Sequence, residues 1–324
     1  MWEIARKNQR KSAFLLIIMS IILIGLGYLI GMYIDPNDGG ITGILIASAV
    51  YFILLFIALS QGTAIILKMS NAKEVKHKDN PQLYNIVDEM RIAAGMEVMP
   101  KVFIIEDPAP NAFAAGMTPK KSIVAVTRGL LDMMNRDELQ GVIAHEISHI
   151  INRDIRYLTI ATIMVASVAL ISQIFLRSMF FRGSRGGKNG KGQAIIMIVA
   201  IVFAILAPIA IRMLYFALSR KREYLADASG ARLTRYPEGL ASALEKIGGS
   251  TVNLESANKT TAPMYIANPL KPKGAKLKNL TSTHPPLQDR IKILRSMGNT
   301  SSLTDYQQAY QSVSGKRAGF IPTK

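Results

Sequence analysis

The chain has 324 residues, no cysteine and a formal net charge of +17. Its length allows one large domain or two, and the lack of cysteine excludes both a disulfide framework and thiolate metal ligands. A basic charge is common in nucleic-acid binders, but a mean hydropathy of +0.23 contradicts a soluble protein of that class. The combination is typical of a membrane protein whose Lys and Arg face the cytoplasm, so we expect a lipid bilayer and no nucleic acid as partner.

Two uncharged stretches predict a transmembrane hairpin over residues 1–67. The spans cover 12–34 and 41–67, and each is long enough to cross about 30 Å of hydrocarbon as a helix. The first is too long for a signal peptide, and no small-x-small cleavage site follows it. Basic residues flank the hairpin, which predicts that both of its outer ends lie in the cytoplasm.

Residues 68–156 predict a soluble segment of mixed α and β structure. Helical periodicity runs from Pro81 to about Ala94, and strands are expected over 101–106 and 122–127. Asn135 followed by Glu138 resembles a capping box, which predicts that a new helix begins there.

This helix carries the pattern H-E-x-x-H. His145 and His149 project from one helix face and can bind one zinc ion together. Glu146 lies about 100° round the helix, so it can accept a proton from water at the metal without being a ligand. That is the geometry of a metalloprotease general base. The pattern alone also fits two ordinary histidines on an amphipathic helix.

Two further uncharged stretches, 158–176 and 194–211, predict a second transmembrane hairpin over residues 157–216. The loop 177–193 is rich in Lys and Arg, although a full hairpin would place it outside. Either this loop breaks the positive-inside rule or the two spans form a re-entrant hairpin. Because none of the four stretches contains a charged residue, an ion transporter is disfavoured.

A catalytic zinc needs three protein ligands, and we expect the third within residues 217–297. Glu223 is the best candidate, because Asp227 lies one turn further on and can accept a hydrogen bond from a ligand histidine. Two spans separate Glu223 from His149, which predicts that both lie at the same, cytoplasmic, membrane face. The alternative is an ordinary charged end of a transmembrane helix.

The C-terminal part gives weaker signals. It predicts a helix over 231–248, a polar insertion over 250–283, a last helix over 287–297 and a flexible basic tail over 298–324. His284 precedes two prolines. It is either an oxyanion donor near the metal or a histidine that begins a helix.

Taken together, the motifs resemble the HtpX-type membrane zinc metalloproteases, whose relatives include the CAAX prenyl proteases. The resemblance covers most of residues 1–297 and includes the motifs Pro110–Ala114, Gly129–Leu131, His145–His149, Asn152–Asp154, Arg222–Asp227 and His284–Pro286. It implies one zinc ion held by His145, His149 and Glu223, with Glu146 catalytic. We expect Asp154 to lie behind the ligands together with Asp227.

The expected fold is therefore a mainly α membrane protein, with four transmembrane helices and a cytoplasmic α+β zincin-like domain. The resemblance implies an endopeptidase of the cell (inner) membrane that cleaves damaged or misfolded membrane proteins at the cytoplasmic face and that can self-associate. Two alternatives are a prenyl-protein protease, for which four spans are too few, and an adaptor with a vestigial zinc site, which the intact Glu146 argues against.

Substrate binding is expected at a strand edge, because backbone hydrogen bonds give an affinity that is independent of side chains. We expect the edge to be strand 122–127, through the backbone of Val124 or Ala125. An inner strand that supports the catalytic helix is the alternative. The resemblance implies that Asn111, Ala112, Phe113 and Ala114 lie in the same neighbourhood.

Overall fold

The computed structural model describes residues 2–162, 220–254, 264–267 and 284–316, with isolated positions elsewhere. These residues are mainly helical, with one small sheet. Most of the predicted spans 158–176 and 194–211 and most of the insertion 250–283 lie outside them. The chain divides into two units, one of Met1–Gln9, Gly62–Thr159 and Phe216–Lys324, the other of Arg10–Gln61 and Ile160–Tyr215.

The predicted N-terminal hairpin is formed by α1 (Trp2–Ile34) and α2 (Gly39–Met69). Among the described residues, Leu16–Ile34 and Gly39–Met69 are the two stretches long and apolar enough to cross a membrane. The helices touch through their backbones, since a Cβ added to Gly31 would lie 1.9 Å from the carbonyl oxygen of Gly39. Glycine is therefore required at this crossing.

The described chain after the hairpin contains a four-stranded sheet. Its strands are β1 (Ala72–Val75), β2 (Lys101–Ile105), β3 (Ala112–Gly116) and β4 (Ser122–Thr127), in the order β1-β2-β4-β3. β2 and β4 run parallel, and the outer pairs are antiparallel. The predicted strands β2 and β4 are confirmed, whereas β1 and β3 were not predicted.

The expectation that residues 122–127 form the sheet edge is wrong. β4 lies between β2 and β3, so Val124 pairs with both Val102 and Ala114, and Ala125 with both Phe103 and Phe113. Their backbone groups are already used inside the sheet and cannot receive a substrate strand. The edge beside β4 is β3, which carries Ala112, Phe113 and Ala114.

Eight helical segments accompany the sheet in the described part of the chain. They are α3 (Pro81–Ala93), α4 (Arg128–Met133), α5 (Arg136–Ile151), α6 (helical over 154–162), α7 (helical over 220–234), α8 (Pro237–Gly249), α9 (Leu287–Ser296) and α10 (Leu303–Ser314). The prediction of a single helix over 231–248 is wrong. Arg235, at φ +54°, interrupts the helical backbone between α7 and α8.

The prediction of a flexible tail from residue 298 is also wrong for its first half. Ser302 and Asp305 form a capping box that begins α10. Tyr306 is fully buried and Ala309 nearly so, which anchors the helix to the same core as α9. The sequence already indicated this helix, because its apolar residues recur at helical spacing, at Leu303, Tyr306, Tyr310 and Val313.

Candidate metal centre

Helix α5 begins where the sequence predicts. The side chain of Asn135 accepts a hydrogen bond from the Glu138 amide at 2.9 Å, and the Glu138 carboxylate accepts one from the Asn135 amide at 2.9 Å. The confirmed capping box fixes the helix start at Asn135, ten residues ahead of His145. From Gly141 to Ile150 every residue of α5 is buried, so the pattern lies inside the unit rather than on its surface.

A glycine brings the helix of Glu223 close to the helix of the histidines. A Cβ added to Gly230 of α7 would lie 3.2 Å from the backbone nitrogen of His145 and 3.3 Å from its Cα. This is tighter than ordinary contact, so a side chain there would push the two helices apart. Because α7 carries Glu223 and α5 carries both histidines, this contact sets the spacing of the ligands.

The three predicted ligands are brought together. His145 Nε2 lies 3.7 Å from Glu223 Oε2, and His149 Nε2 lies 3.5 Å from Glu223 Oε1. One ligand atom from each residue falls within 4.8 Å of the others. Donors held at about 2.0–2.2 Å from one tetrahedral ion are separated by roughly 3.4 Å. The observed spacing therefore fits a single small cation.

The second nitrogen of each histidine faces a buried aspartate. His145 Nδ1 lies 3.0 Å from Asp227 Oδ1, and His149 Nδ1 lies 3.5 Å from Asp154 Oδ2. Each carboxylate fixes its imidazole in the tautomer that turns Nε2 towards the metal position. Asp154 and Asp227 thus lie where the sequence predicts, directly behind the ligands.

Arg290 of α9 is a site residue that the sequence prediction missed. Its Nε and Nη2 donate to the two oxygens of Asp227 at 2.8 and 2.7 Å, and its side chain is fully buried. The bidentate pair holds Asp227 against His145. A buried Asp227 needs a buried cation, but the sequence offers many Arg and Lys and does not indicate which one.

His284 is also brought to the site. Its Nδ1 lies 3.0 Å from Glu223 Oε2, and the residue is buried just ahead of α9. The two prolines that follow precede α9, with Pro286 as its N-cap. His284 therefore lies two residues before this N-cap and beside a candidate ligand, and its role as an oxyanion donor stays a prediction.

The charges around the ligands favour a divalent cation. Glu146, Asp154, Glu223 and Asp227 bring four buried carboxylates, and the buried cations are Arg222, 3.7 Å from Asp154, and Arg290. With Glu146 ionised and both histidines deprotonated, as metal ligation requires, two negative charges would remain for a divalent ion to balance. Burial lowers the pKa of His145 to about 4, which keeps it neutral.

The other groups reflect the same excess of negative charge. Burial alone would lower the pKa of His149, but hydrogen bonds to Asp154 and Glu223 outweigh it and raise this pKa to about 10. A metal ion that binds here must therefore displace a proton from His149. Burial would raise the pKa of Glu223, but its electrostatic interaction with the neighbouring His284 and the His149 hydrogen bond outweigh burial and lower that pKa well below its usual range.

The environment of Glu146 indicates a role other than metal ligation. The residue is buried, and neither carboxylate oxygen has a hydrogen-bond partner among the described residues. Burial raises its pKa to about 8, aided by the charge of Glu223, while the positive charge of His149 and the nearby Ala114 amide of β3 partly offset the rise. A carboxylate with a raised pKa that adjoins the metal position is suited to accept and return a proton.

Comparison with known proteins identifies the family. Residues 77–298 match the model of Peptidase family M48. Over 304 residues the chain is 45% identical to a Protease HtpX homolog of Dictyoglomus thermophilum, covering 94% of this chain and 97% of that protein. A Protease HtpX homolog of Listeria monocytogenes is 43% identical over 307 residues, covering 92% and 100%. The chain belongs to peptidase family M48.

As an M48 peptidase, the chain is a metalloprotease, and the cluster of His145, His149 and Glu223 is its candidate metal site. Among solved structures it is similar to the crystal structure of S. mikatae Ste24p. The TM-score is 0.47 at 19% identity, covering 91% of this chain and 67% of that one.

The contact between α5 and α7 gives a first testable prediction. Gly230→Val should force the helices apart at His145, lower the melting temperature and weaken metal binding, because overpacking of this kind costs about 1–3 kcal/mol. Gly249→Ala is the matched control, since a Cβ at Gly249 would meet nothing within 4 Å. Calorimetry and metal analysis of both purified variants would test it. If Gly230→Val bound metal as tightly as the control, the contact would not set the ligand spacing.

Proposed function

We propose that the protein is an integral-membrane zinc endopeptidase that cleaves damaged or misfolded membrane proteins at the cytoplasmic face of the cell membrane. The observation that carries the proposal is the buried cluster of two histidines and one glutamate, with Glu146 beside it and unpaired among the described residues. Two nitrogens and one carboxylate form the ligand set of catalytic zinc sites that keep one position open. A bound zinc ion would supply Lewis acidity to the water and to the peptide carbonyl.

Glu146 is the proposed general base. Its carboxylate takes a proton from the water whose oxygen forms a bond to the scissile carbonyl carbon. The same carboxyl then gives the proton to the amide nitrogen as the C–N bond breaks, so one group serves both steps. Burial, which raises its pKa to about 8, makes both directions of transfer accessible near neutral pH.

His284 is the proposed donor to the oxyanion that develops on the carbonyl. Its imidazole is buried and adjoins Glu223, at the rim of the metal position. A fixed donor there would stabilise charge that exists only in the transition state. Arg290 is the proposed positioning residue, because it contacts Asp227, which in turn faces His145, and because its Nη1 lies 3.6 Å from Glu223 Oε2.

The outer edge of β3 is the proposed place for the substrate backbone. The Thr127 amide donates to the Asn111 carbonyl across the β3–β4 pair, and the Asn111 amide donates to the Thr127 hydroxyl oxygen. In an antiparallel pair alternate residues face outward. Ala112 and Ala114 therefore direct their amide and carbonyl groups away from β4. Ala114 lies next to Glu146, so an extended peptide on this edge would pass the general base. The small side chains of Ala112 and Ala114 permit close approach.

The membrane part of the proposal rests on α1 and α2, the two candidate spans among the described residues. It can be tested with two model substrates, each a single-span protein with the same unfolded extension, placed inside the cell in one and outside in the other. When either is co-expressed with the protease, only the inner extension should be cut, and Glu146→Gln should cut neither. Equal cleavage of the outer extension would contradict a cytoplasmic site.

A further inference from the structure

Residues 264–267, here called the strap, lie along the outer edge of β3. The Ile266 amide donates to the Ala112 carbonyl at 2.9 Å. The Asn111 side chain donates to the Ala267 carbonyl at 3.1 Å and accepts from the Ala267 amide at 3.4 Å. These bonds place 266 beside 112 and 267 beside 111. The strap is bent rather than a regular strand, but its bonds use backbone and side-chain groups of this edge that an added peptide strand would need.

Side chains hold the strap on both faces. The Tyr265 ring packs edge-to-face on Phe113, with ring centroids 5.2 Å apart, and its hydroxyl reaches the Ser70 hydroxyl at 3.4 Å. On the other face, Ile266 joins the core that contains Ala112. All four strap residues, Met264 to Ala267, are at most 6% exposed.

The strap is also tied to the metal centre. Arg290 Nη1 donates to the Ile266 carbonyl at 2.8 Å, while Nε and Nη2 of the same guanidinium hold Asp227. One arginine therefore contacts both the strap and the aspartate behind His145. If the strap leaves, Arg290 loses one of its partners, so strap position and site geometry are linked through a single side chain.

We infer that the strap is an internal competitor of the substrate, and that it must leave the Asn111–Phe113 part of β3 before a polypeptide can bind in register. The Ala112 carbonyl and both polar ends of the Asn111 side chain are already used by the strap. A second strand cannot form the same bonds at the same time. The inference rests on the proposed function, since it assumes that substrate binds to this edge.

A reversible lock tests the inference. The Ile266 amide bonds to the Ala112 carbonyl at 2.9 Å, so the two backbones are in direct contact, as a disulfide between these positions requires. Ala112→Cys combined with Ile266→Cys adds a single pair to a chain that has no cysteine. The oxidised protein should cleave fluorescein-labelled casein at least tenfold more slowly than the same sample reduced with a phosphine. Ile266→Cys alone, treated identically, should be insensitive to oxidation.

A loosened strap should have the opposite effect. Tyr265→Leu keeps an apolar side chain but loses the ring contact with Phe113 and the bond to Ser70, so kcat/KM for the labelled casein should rise about three- to tenfold. A fall in kcat/KM, or equal rates for the oxidised and reduced double-cysteine protein, would overturn the inference. The strap would then be a fixed wall of the cleft.

A binding measurement separates this inference from the proposed chemistry. The double-cysteine pair is placed in the Glu146→Gln background, and binding of the labelled casein is followed by fluorescence anisotropy. Oxidation should weaken binding at least tenfold, with unchanged metal content. If the inactive protein bound casein equally well in both states while the wild-type enzyme cleaved it, the proposed function would stand and the competitor would not.

Discussion

Glu146→Gln is expected to abolish peptide hydrolysis while the metal stays bound. The amide matches the carboxylate in size but cannot accept a proton, and a positioned general base contributes about 10²–10⁴-fold to such reactions. Glu146 is not among the three residues whose ligand atoms converge, so metal content should not change. The measurement is cleavage of unfolded casein by detergent-purified protein, with the metal determined in the same sample.

A second glutamate of α5 provides the matched control. Glu138 is also buried, but it caps the helix and pairs with Lys246 at 2.7 Å. Glu138→Gln should lower the melting temperature, because it weakens this pair, and should retain most of the activity. Full activity in Glu146→Gln, or equal losses in the two variants, would be incompatible with a general base at residue 146.

Glu223→Ala is expected to remove the metal as well as the activity. Two histidines alone leave the ion with too few protein donors, and His149 then loses the carboxylate that lies 3.5 Å from its Nε2. Asp227→Asn should have a graded effect, with metal affinity reduced about 10–100-fold, because it weakens the support of His145 without removing a ligand. Metal affinity would be measured by competition with a chelating dye.

Comparing how much metal affinity each of the two variants loses distinguishes a ligand from a supporting residue. If Asp227→Asn lost more metal than Glu223→Ala, the assignment of ligand and support would have to be reversed. Stoichiometric metal with unchanged affinity in Glu223→Ala would show that the third ligand lies elsewhere, and Asp154 and His284 are the nearest candidates within the described site.

Much of the centre could be predicted from local sequence, because its geometry is local. The capping box of Asn135 and Glu138 fixes where α5 begins, and helical spacing fixes the faces of His145, Glu146 and His149. Glu223 and Asp227 follow from the same rule on a second helix. The reason to bring the two helices together was the predicted membrane topology, which concerns residues 163–219, most of them outside the described part of the chain.

The missed features depend on contacts between distant parts of the chain. Arg290 is defined by Asp227, 63 residues away, and no local pattern distinguishes it from other basic residues. β3 was missed because Ala112–Gly116 has few β-branched or aromatic residues. The predicted position of β4 at the sheet edge was wrong. All six residues of β4 are buried, and such a uniformly buried strand does not indicate which strands lie on its two sides.

The most direct test of a zinc-dependent peptidase is a metal titration of the wild-type protein. Chelation should remove the ion and the casein-cleaving activity together. Added zinc should then restore activity in proportion, with a sharp end point at one ion per chain, and no zinc should bind at this stoichiometry to Glu223→Ala. Activity that survives complete removal of the metal, or an end point that is unchanged in Glu223→Ala, would contradict a catalytic ion held by His145, His149 and Glu223.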